Sequence, residues 1–263
     1  YTLPSVVDDI DAKITHVVRG EDHVTNSGAQ IEIFKVLGGT APDMAHTPLL
    51  VDAEGGAVSK RLGSLSMGTL EARGILPMAI LSLLAKLGTS DNIEVRETLE
   101  ALAADFDFSK VGRAPAKFDE KDLLALNATI LHSMPFADAE SQLKAISPEA
   151  ANETFWLAVR ENCQTVHDAK PFADIAYGQI EPIVDEEDTE FISQAGDLLP
   201  EGEITAETWK TWTASLKDQT GRKGRGLFMP LRKALTGQEH GPDMGVLLPP
   251  IGRDAVVRRL AKA

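Results

Sequence analysis

The spacing of apolar residues changes near Thr69, and this change constrains the fold more than any other feature of the sequence. Before it, a β-branched run at 14–19, a helical pattern ending at Gly38-Gly39 and an apolar run at 44–51 predict a strand, a helix and a second strand. Two strands and a helix within about forty residues predict a parallel βαβ unit, which binds ligands at the carboxyl ends of its strands. After Thr69 helical spacing prevails, so we expect the second half of the chain to be all helical.

Helical patterns also fix where we expect the individual helices. Apolar residues at helical spacing predict helices over 2–12, 76–87, 92–104, 119–133, 136–146, 150–166, 170–178, 188–196, 205–219 and 224–236. Residues 106–118 have no such pattern, and we expect an irregular connector with a domain boundary inside it.

Composition limits the class of protein. The chain has 263 residues, 43% hydrophobic and 25% charged, which is typical of a soluble globular protein. No apolar run approaches the roughly 18 residues of a membrane span, and no signal peptide is recognised, so a cytoplasmic location is expected. The single Cys163 excludes an internal disulfide framework and a cysteine-rich zinc site. Because the chain starts at Tyr1 and not at Met, it reads as a fragment or a processed chain.

Charge is unevenly distributed along the chain. The net charge of −14 argues against a generic DNA-binding protein, whose affinity depends on many phosphate contacts. A basic track near the C-terminus nevertheless allows local contact with RNA. The track consists of Arg222, Lys223, Arg225, Arg232, Lys233, Arg253, Arg258, Arg259 and Lys262.

Two segments carry residues suited to chemistry. A glycine-rich acidic turn leads into Val58-Ser-Lys-Arg61, where a lysine can act as a movable charge on a polyanion, although a solvated hairpin with two surface cations is equally compatible. Arg19 ends a predicted strand beside Asp22 and His23, where it can hold a carboxylate bidentately or form a surface ion pair of little consequence. The histidines are scattered, and no metal-binding or nucleophile motif is recognised.

These features leave two classes of function open. One is a nucleotide-using enzyme that also binds nucleic acid. The other is a non-catalytic RNA-binding module or a helical interaction protein. The basic track and the Lys60 segment favour RNA contact in both cases.

Five segments together resemble bacterial glutamyl-tRNA synthetases, which are class I enzymes. They are Tyr1-Thr-Leu-Pro-Ser-Val-Val-Asp-Asp9, Ile14-Thr-His-Val-Val-Arg-Gly-Glu-Asp-His23, Val58-Ser-Lys-Arg61, Gly112-Arg-Ala-Pro-Ala-Lys-Phe-Asp119 and Leu227-Phe-Met-Pro-Leu-Arg-Lys-Ala-Leu-Thr-Gly237. The resemblance implies a mostly α fold. It implies a partial Rossmann catalytic segment at 1–67 with the Val-Ser-Lys-Arg loop, stem-contact helices at 68–113 and an all-helical anticodon-binding domain at 114–263.

The implied activity is glutamate–tRNA ligation. ATP with Mg²⁺ activates glutamate to glutamyl-adenylate, and the acyl group then passes to tRNA for glutamate; a monomer without zinc is expected. The family's His-x-Gly-His signature does not occur in this sequence, so we expect the chain to be inactive alone. Ala57 stands where the family loop often has lysine. The alternatives are a glutaminyl-tRNA synthetase-like enzyme, whose C-terminal half would be β-barrels, and a stand-alone tRNA-binding module.

The resemblance also assigns residues to each substrate. It implies that Tyr1, Ser5 and Arg19 bind glutamate, with the Arg19 guanidinium on the γ-carboxylate. A neutral amide would leave that cation unpaired. The residues implied for ATP are Asp22, His23, Leu49, Leu50, Ser59, Lys60 and Arg61, with Lys60 as the catalytic residue that stabilises the triphosphate during AMP transfer. Those implied for the anticodon are Arg160, Arg232, Gly241, Pro242 and Met244.

Overall fold

The computed structural model describes residues 1–52, 54–56 and 66–261. The chain divides into two compact units after Leu126, and each unit is described by itself. The structure is mostly helical, which confirms the predicted fold class. The division falls inside a helix and not near residue 113, so the finer partition at 67 and 113 stays a prediction. Among the described residues, no helix combines the length and the apolar character that crossing a membrane requires.

The first unit begins with a βαβ arrangement. Its elements are α1 (Thr2–Asp11), β1 (His16–Gly20), α2 (Val24–Val36), β2 (Asp43–Thr47), β3 (Leu50–Val51), α3 (Met67–Ala72), α4 (Pro77–Lys86), α5 (Leu99–Asp105) and β4 (Ala116–Lys117), and it also contains the start of α6 (Glu120–Ser133). Strands β1 and β2 pair in parallel, with Arg19 opposite His46. Gly38, at φ +72°, ends the turn after α2 in a left-handed conformation that favours glycine. The predicted βαβ unit is therefore confirmed.

The prediction of a single strand over 44–51 was wrong. Pro48 separates β2 from β3, and β3 pairs with β4 in a second small parallel sheet. Proline has no backbone N–H and cannot continue the ladder. A Cβ placed on Gly88, which has φ +76°, would lie only 2.9 Å from Pro48 Cγ. Close approach of the backbone at this glycine therefore lets the segment after α4 pack against the break between the strands.

The helix expected at 92–104 starts only at Leu99, where the Thr98 hydroxyl caps it by accepting from Ala101 N at 3.2 Å. An ionic network occupies the preceding segment. Lys86, 6% exposed, lies 3.0 Å from an Asp91 oxygen and 3.6 Å from an Asp105 oxygen. Arg96 Nε donates to Asp105 at 2.6 Å and the Lys110 ammonium contacts Asp91 at 3.1 Å. These pairs hold the segment in a non-helical path.

The network makes the first unit sensitive to acid. The hydrogen bond from Lys86 lowers the pKa of Asp91, and that from Arg96 lowers the pKa of Asp105, in each case below the ordinary 3.8. A carboxyl group whose pKa is lowered by folding stabilises the fold above its unfolded pKa. That contribution is lost as the pH falls through the lower folded pKa.

We therefore expect Asp105→Asn to lower the free energy of unfolding of the first unit at neutral pH, because Arg96 and Lys86 lose a charged partner. The difference from wild type should shrink as the pH falls below about 3.8. Amide hydrogen exchange over residues 1–126 measures it. Glu97→Gln, which removes an exposed carboxylate from the same segment, is the control. A difference that stays constant down to strongly acidic pH would contradict the electrostatic account.

The second unit contains the rest of α6 followed by helices. They are α7 (Phe136–Ile146), α8 (Glu153–Val159), α9 (Lys170–Tyr177), α10 (Thr189–Asp197), α11 (Ala206–Thr220), α12 (Arg225–Thr236), α13 (Met244–Ile251) and α14 (Arg253–Ala261). Two fully buried tryptophans anchor the core: Trp156 Nε1 donates to Met134 O and Trp212 Nε1 to Ala195 O, both at 2.9 Å. Because these carbonyls accept the indole protons, neither ring leaves a buried donor unpaired.

The helix predicted at 150–166 is broken. Asn152 accepts a hydrogen bond from Phe155 N at 2.9 Å and so starts α8, and short 3-10 turns follow at 160–162 and 166–169. Cys163 lies in this broken stretch, almost fully buried. Its Sγ–H donates to Val159 O at 3.3 Å, and burial raises the pKa of the thiol to about 12.

A buried arginine ties three helices together. Arg259 on α14 is 6% exposed and donates to Leu235 O at 2.7 Å, to Ile175 O at 2.6 Å and to Gly178 O at 3.4 Å. These carbonyls lie at the carboxyl ends of α12 and α9. The last C=O groups of a helix have no N–H partner within that helix. Burial lowers the pKa of the Arg259 guanidinium to about 10, which leaves it a cation at neutral pH. No described carboxylate pairs with it, so the helix ends themselves balance its charge.

Candidate functional sites

The first candidate site is a polar cluster around the first turns of α2, which we call the Arg19 cluster. Its members are Tyr1, Ser5, Arg19, Asp22, His23, Asn26, Ser27, Gln30 and His46. Arg19 comes from β1, His46 from the paired position on β2, and the residues between 26 and 30 from α2. The cluster thus lies at the carboxyl end of the parallel strands, where βαβ units bind ligands.

Arg19 has an incomplete set of partners. Its Nη2 donates to Ser27 Oγ at 2.5 Å and approaches Met44 Sδ at 3.6 Å, while its Nε is buried without a hydrogen-bond partner. No carboxylate oxygen of the described residues lies within 4.0 Å of the guanidinium. A buried N–H of a cation without an acceptor is costly. The site is therefore short of one anionic acceptor.

Tyr1 and His23 meet through Asn26. The Asn26 amide donates to the Tyr1 hydroxyl at 3.0 Å and lies 3.3 Å from His23 Nδ1, and the Tyr1 hydroxyl lies 3.4 Å from the same ring nitrogen. Asp22 contacts the other nitrogen of His23 at 3.7 Å. The Tyr1 side chain remains 76% exposed, so its hydroxyl can turn toward a ligand.

Ser5 reaches α2 from α1. Its hydroxyl accepts from Gln30 Nε2 at 3.0 Å and donates to Thr2 O at 3.0 Å. The three residues assigned to glutamate therefore contact neighbouring positions of α2: Tyr1 contacts Asn26, Arg19 contacts Ser27 and Ser5 contacts Gln30. The structure brings them around one helix, although they are up to 18 positions apart in sequence.

Two residues assigned to ATP, Asp22 and Leu49, lie beside Gly20 at the carboxyl end of β1. A Cβ on Gly20 would be 2.5 Å from an Asp22 oxygen and 3.5 Å from Leu49 Cδ2, so both side chains approach this backbone. Leu49 is 45% exposed and Leu50, on β3, is 37% exposed. An open apolar surface beside a strand end can receive a planar ring. The other residues assigned to ATP, Ser59, Lys60 and Arg61, lie outside the described residues, as does Ala57.

Sequence reasoning missed Asn26, Ser27, Gln30 and His46 as site residues. A signal for two of them was present: Ser27 and Gln30 are buried at helical spacing with Phe34, on a face that would otherwise be apolar. Polar residues on a core-facing stripe need partners, and this need could have marked them. His46 gives no such signal, because its role depends on strand pairing.

The second candidate site surrounds Arg232 on α12. Its Nη2 donates to Pro242 O at 2.8 Å, and a Cβ on Gly241, which has φ +146°, would lie 3.3 Å from Arg232 Nη1. Burial lowers the pKa of Arg232, and the charge of Asp243 opposes this shift. Met244, 2% exposed, begins α13 directly after this turn. Arg232, Gly241, Pro242 and Met244 therefore belong to one local structure, which we call the Arg232 turn.

Arg160 has separate contacts. Its Nη1 donates to Met134 O at 3.0 Å, the carbonyl that also accepts from the Trp156 indole. A half-exposed arginine that uses one donor on a backbone carbonyl keeps others for a ligand. No hydrogen bond or ion pair joins Arg160 to Arg232 in the described part of the chain.

An aromatic pair borders the Arg232 turn. The rings of Trp209 and Phe228 are 6.1 Å apart, and Phe228 is 44% exposed. Phe228 lies one helical turn before Arg232 on α12, and Gly245 of α13 is close to Trp209: a Cβ there would be 3.4 Å from Trp209 Cδ1. An exposed aromatic ring beside an arginine is suited to stacking on a nucleobase.

The basic track is not one surface of free cations. Arg222 pairs with Asp188, Lys233 contacts Asp185 at 2.6 Å, and Arg253 donates to Pro200 O and Gly202 O. Together with buried Arg259, these cations are used inside the unit. Electrostatic attraction of RNA through the whole track, as the sequence suggested, is therefore weaker than its number of cations implies.

In the described residues no group of three His, Cys, Asp or Glu side chains is arranged to hold a metal ion.

Comparison with known proteins divides the chain in the same way as its fold. Residues 1–125 match the family described as tRNA synthetases class I (E and Q), catalytic domain. Residues 128–263 match the anticodon binding domain family. The two matches meet at the division between the compact units.

Individual relatives agree. Glutamate–tRNA ligase 2 of Hyphomonas neptunium is 67% identical over 99% of this chain, and glutamate–tRNA ligase 1 of Maricaulis maris is 50% identical over 99%. The crystal structure of glutamate-tRNA synthetase from Elizabethkingia anophelis is 25% identical, covers 100% of this chain and superimposes with a TM-score of 0.84. The chain spans 58–59% of the length of these proteins. The chain therefore belongs to the class I tRNA synthetases of the glutamate and glutamine group, and its helical unit is their anticodon-binding domain.

Proposed function

We propose that this chain supplies the amino-acid pocket and the anticodon-reading domain of a glutamate–tRNA ligase. In this reaction glutamate attacks the α-phosphate of ATP, pyrophosphate leaves, and the acyl group of glutamyl-adenylate then passes to the terminal ribose hydroxyl of tRNA. MgATP, glutamate and tRNA are the substrates. Catalysis of this type consists of positioning and charge stabilisation, without a covalent nucleophile.

The observation that carries the proposal is the unpaired Nε of Arg19. A guanidinium donates in a planar fork that matches a carboxylate, and no carboxylate oxygen of the described residues lies within 4.0 Å of the Arg19 guanidinium. The γ-carboxylate of glutamate supplies the missing acceptor. Tyr1 and Ser5, which contact the same helix, border the remaining part of the amino acid.

On the nucleotide side, Leu49 and Leu50 offer the adenine a half-exposed apolar surface, and Asp22 and His23 lie beside the same strand end. The roles of Ser59, Arg61 and catalytic Lys60 rest on the family loop that they resemble. A lysine there acts as a compact charge on the triphosphate.

On the tRNA side, Arg232, Gly241 and Pro242 form the anticodon-reading turn, which buried Met244 supports from the start of α13, and Arg160 is a further contact. The Arg232 fork uses one donor on Pro242 O and keeps others for a base edge. The Arg232 guanidinium is already partly buried in the folded chain, so folding has already met the cost of removing it from water. A contact with a base therefore adds a favourable interaction without desolvating this group again.

The same observation favours this function over the alternatives. The neutral amide of glutamine would leave Arg19 without a counter-charge, which disfavours a glutaminyl enzyme. A stand-alone tRNA-binding module would have no use for a buried cation that lacks an acceptor. We further propose a monomer located in the cytoplasm.

ATP–pyrophosphate exchange tests the function. We expect the protein as its gene encodes it to catalyse ATP–pyrophosphate exchange when glutamate and tRNA are present. No exchange is expected when glutamine replaces glutamate. Exchange with glutamine and not with glutamate would reject the proposed pocket.

The 263-residue chain should bind tRNA for glutamate but not activate glutamate, since no His-x-Gly-His motif is present in its sequence. Binding should fall when anticodon bases are substituted, because a chain of net charge −14 attracts RNA backbone poorly. Filter binding with matched tRNAs measures this, and Arg232→Ala should cost roughly five- to a hundredfold in affinity. Lys144→Ala, an exposed cation on α7, is the control. Equal affinity for every anticodon would remove the reading role from the Arg232 turn.

A further inference from the structure

We propose that His46 is a positioning residue for Arg19 and that it acts through Ser27 as the Nε2–H tautomer. The role in substrate binding rests on the proposed glutamate pocket, whereas the tautomer follows from the structure alone. The juxtaposition that carries the inference is the contact of Ser27 Oγ with three polar atoms at once.

Hydrogen-bond counting at Ser27 leaves one set of directions in which all three contacts are hydrogen bonds. Its hydroxyl lies 3.0 Å from His23 O, 2.5 Å from Arg19 Nη2 and 2.7 Å from His46 Nε2. A hydroxyl has one proton to donate and two lone pairs to accept with. The carbonyl of His23 can only accept and the guanidinium can only donate.

If the Ser27 proton goes to His23 O, one lone pair takes Arg19 and the other is left for His46. The His46 Nε2 must then carry the proton. A serine in a helix that donates to the carbonyl four residues earlier is a common arrangement, and it fits the position of Ser27 on α2. The opposite direction, with Ser27 donating to an unprotonated Nε2, would leave the hydroxyl without a bond to His23 O.

The fold holds these three side chains in place. Arg19 and His46 are paired residues of neighbouring parallel strands, and Ser27, 5% exposed, covers them from α2. Because the strand register fixes the two Cα atoms, the imidazole and the guanidinium reach the same hydroxyl without rearrangement. Two donors converge on one oxygen, and this oxygen carries no charge of its own.

The arrangement specifies which donors Arg19 offers to a ligand. With one hydrogen of Nη2 held by Ser27, the guanidinium plane is fixed and the unpaired Nε is left as a donor beside it. An arginine side chain loses much rotamer freedom when it is fixed. Fixing it before the ligand arrives removes that cost from binding, which is the general benefit of a preorganised site. His46 contributes to this preorganisation, because its Nε2–H donates to Ser27 Oγ and so orients the other lone pair of that oxygen toward Arg19.

Nitrogen-15 NMR of the 263-residue chain tests the tautomer, at a pH where the imidazole is neutral. We expect the His46 ring to show a protonated Nε2 and an unprotonated Nδ1. A ring protonated at Nδ1 would overturn the inference. This measurement needs no substrate, so its result is independent of the proposed function.

Substitutions at His46 test the positioning role in the protein as its gene encodes it. His46→Gln retains an N–H donor at a similar reach, whereas His46→Met keeps the bulk and removes the donor. We expect His46→Met to raise the KM for glutamate roughly three- to tenfold with the KM for ATP unchanged, and His46→Gln to restore much of the loss. His16→Met, which alters an exposed histidine on β1 outside the cluster, should have no effect.

A double variant distinguishes a role of His46 through Ser27 from a general loss of packing. If His46 acts through Ser27, Ser27→Ala together with His46→Met should cost no more than Ser27→Ala alone, whereas independent roles would add. Additive losses, or an unchanged KM for glutamate in His46→Met, would overturn the role. If wild type does not use glutamate at all, the proposed function and the role in binding both fail, and the NMR result still decides the hydrogen-bond direction.

Discussion

Replacing Arg19 with alanine is expected to raise the KM for glutamate roughly ten- to a hundredfold in the protein as its gene encodes it. The variant removes a charge-assisted pair worth about 1.5–3 kcal/mol. The effect should fall on glutamate and not on ATP, because the polar contacts of the Arg19 side chain are with Ser27 and Met44, neither of which is proposed to bind ATP. Steady-state pyrophosphate exchange at varied glutamate and ATP measures both constants.

Two further variants sharpen this test. Arg19→Lys keeps the charge but loses the planar fork, so its KM for glutamate should fall between those of wild type and Arg19→Ala. Lys35→Ala removes an exposed cation from α2, which pairs with Glu32 and with no other described carboxylate, and should leave both constants unchanged. An unaltered KM for glutamate in Arg19→Ala would refute the assignment of the pocket.

The largest stability effect is expected at Arg259. Arg259→Met should lower the free energy of unfolding of the second unit by about 3 kcal/mol, because the carbonyls of Ile175 and Leu235 lose their buried donor. All three tryptophans of the chain lie in this unit, so denaturant titration followed by their fluorescence reports on it alone. The neighbouring Arg258→Met removes an exposed arginine and is the control. A loss equal to that of the control would show that the helix ends do not need Arg259.

Local pattern predicted most helices of the second unit because their periodicity is uninterrupted. The bounds of helices α7, α9, α10, α11 and α12 lie within one residue of the predicted ones. The last two helices were not predicted. Pro249 and Pro250 argue against a helix from local sequence alone, yet both lie inside α13, which packs against α11 and α8. Tertiary packing here outweighs propensity.

The site was only half visible in the sequence for a related reason. Arg19 could be identified because a strand-end arginine beside acids is a local pattern. Ser27 and His46 could not be assigned to it, since their meeting depends on the parallel register of two strands and on how α2 covers them. The prediction of a helix over 92–104 was wrong for the same reason, because Lys86 and Lys110, which pair with Asp91, lie outside that segment. Interactions between distant residues decide these cases.

The buried thiol of Cys163 gives this chain a practical property. Burial raises the pKa of this thiol to about 12, so it stays protonated at neutral pH, and the fold covers the sulfur as well. Thiol-directed dyes will therefore leave the folded chain unlabelled and mark it only when the helical unit opens. A cysteine introduced at an exposed position, such as Lys35 on α2, would accept a dye selectively. Fluorescence transfer from that dye to labelled tRNA could then follow binding without any removal of the native cysteine.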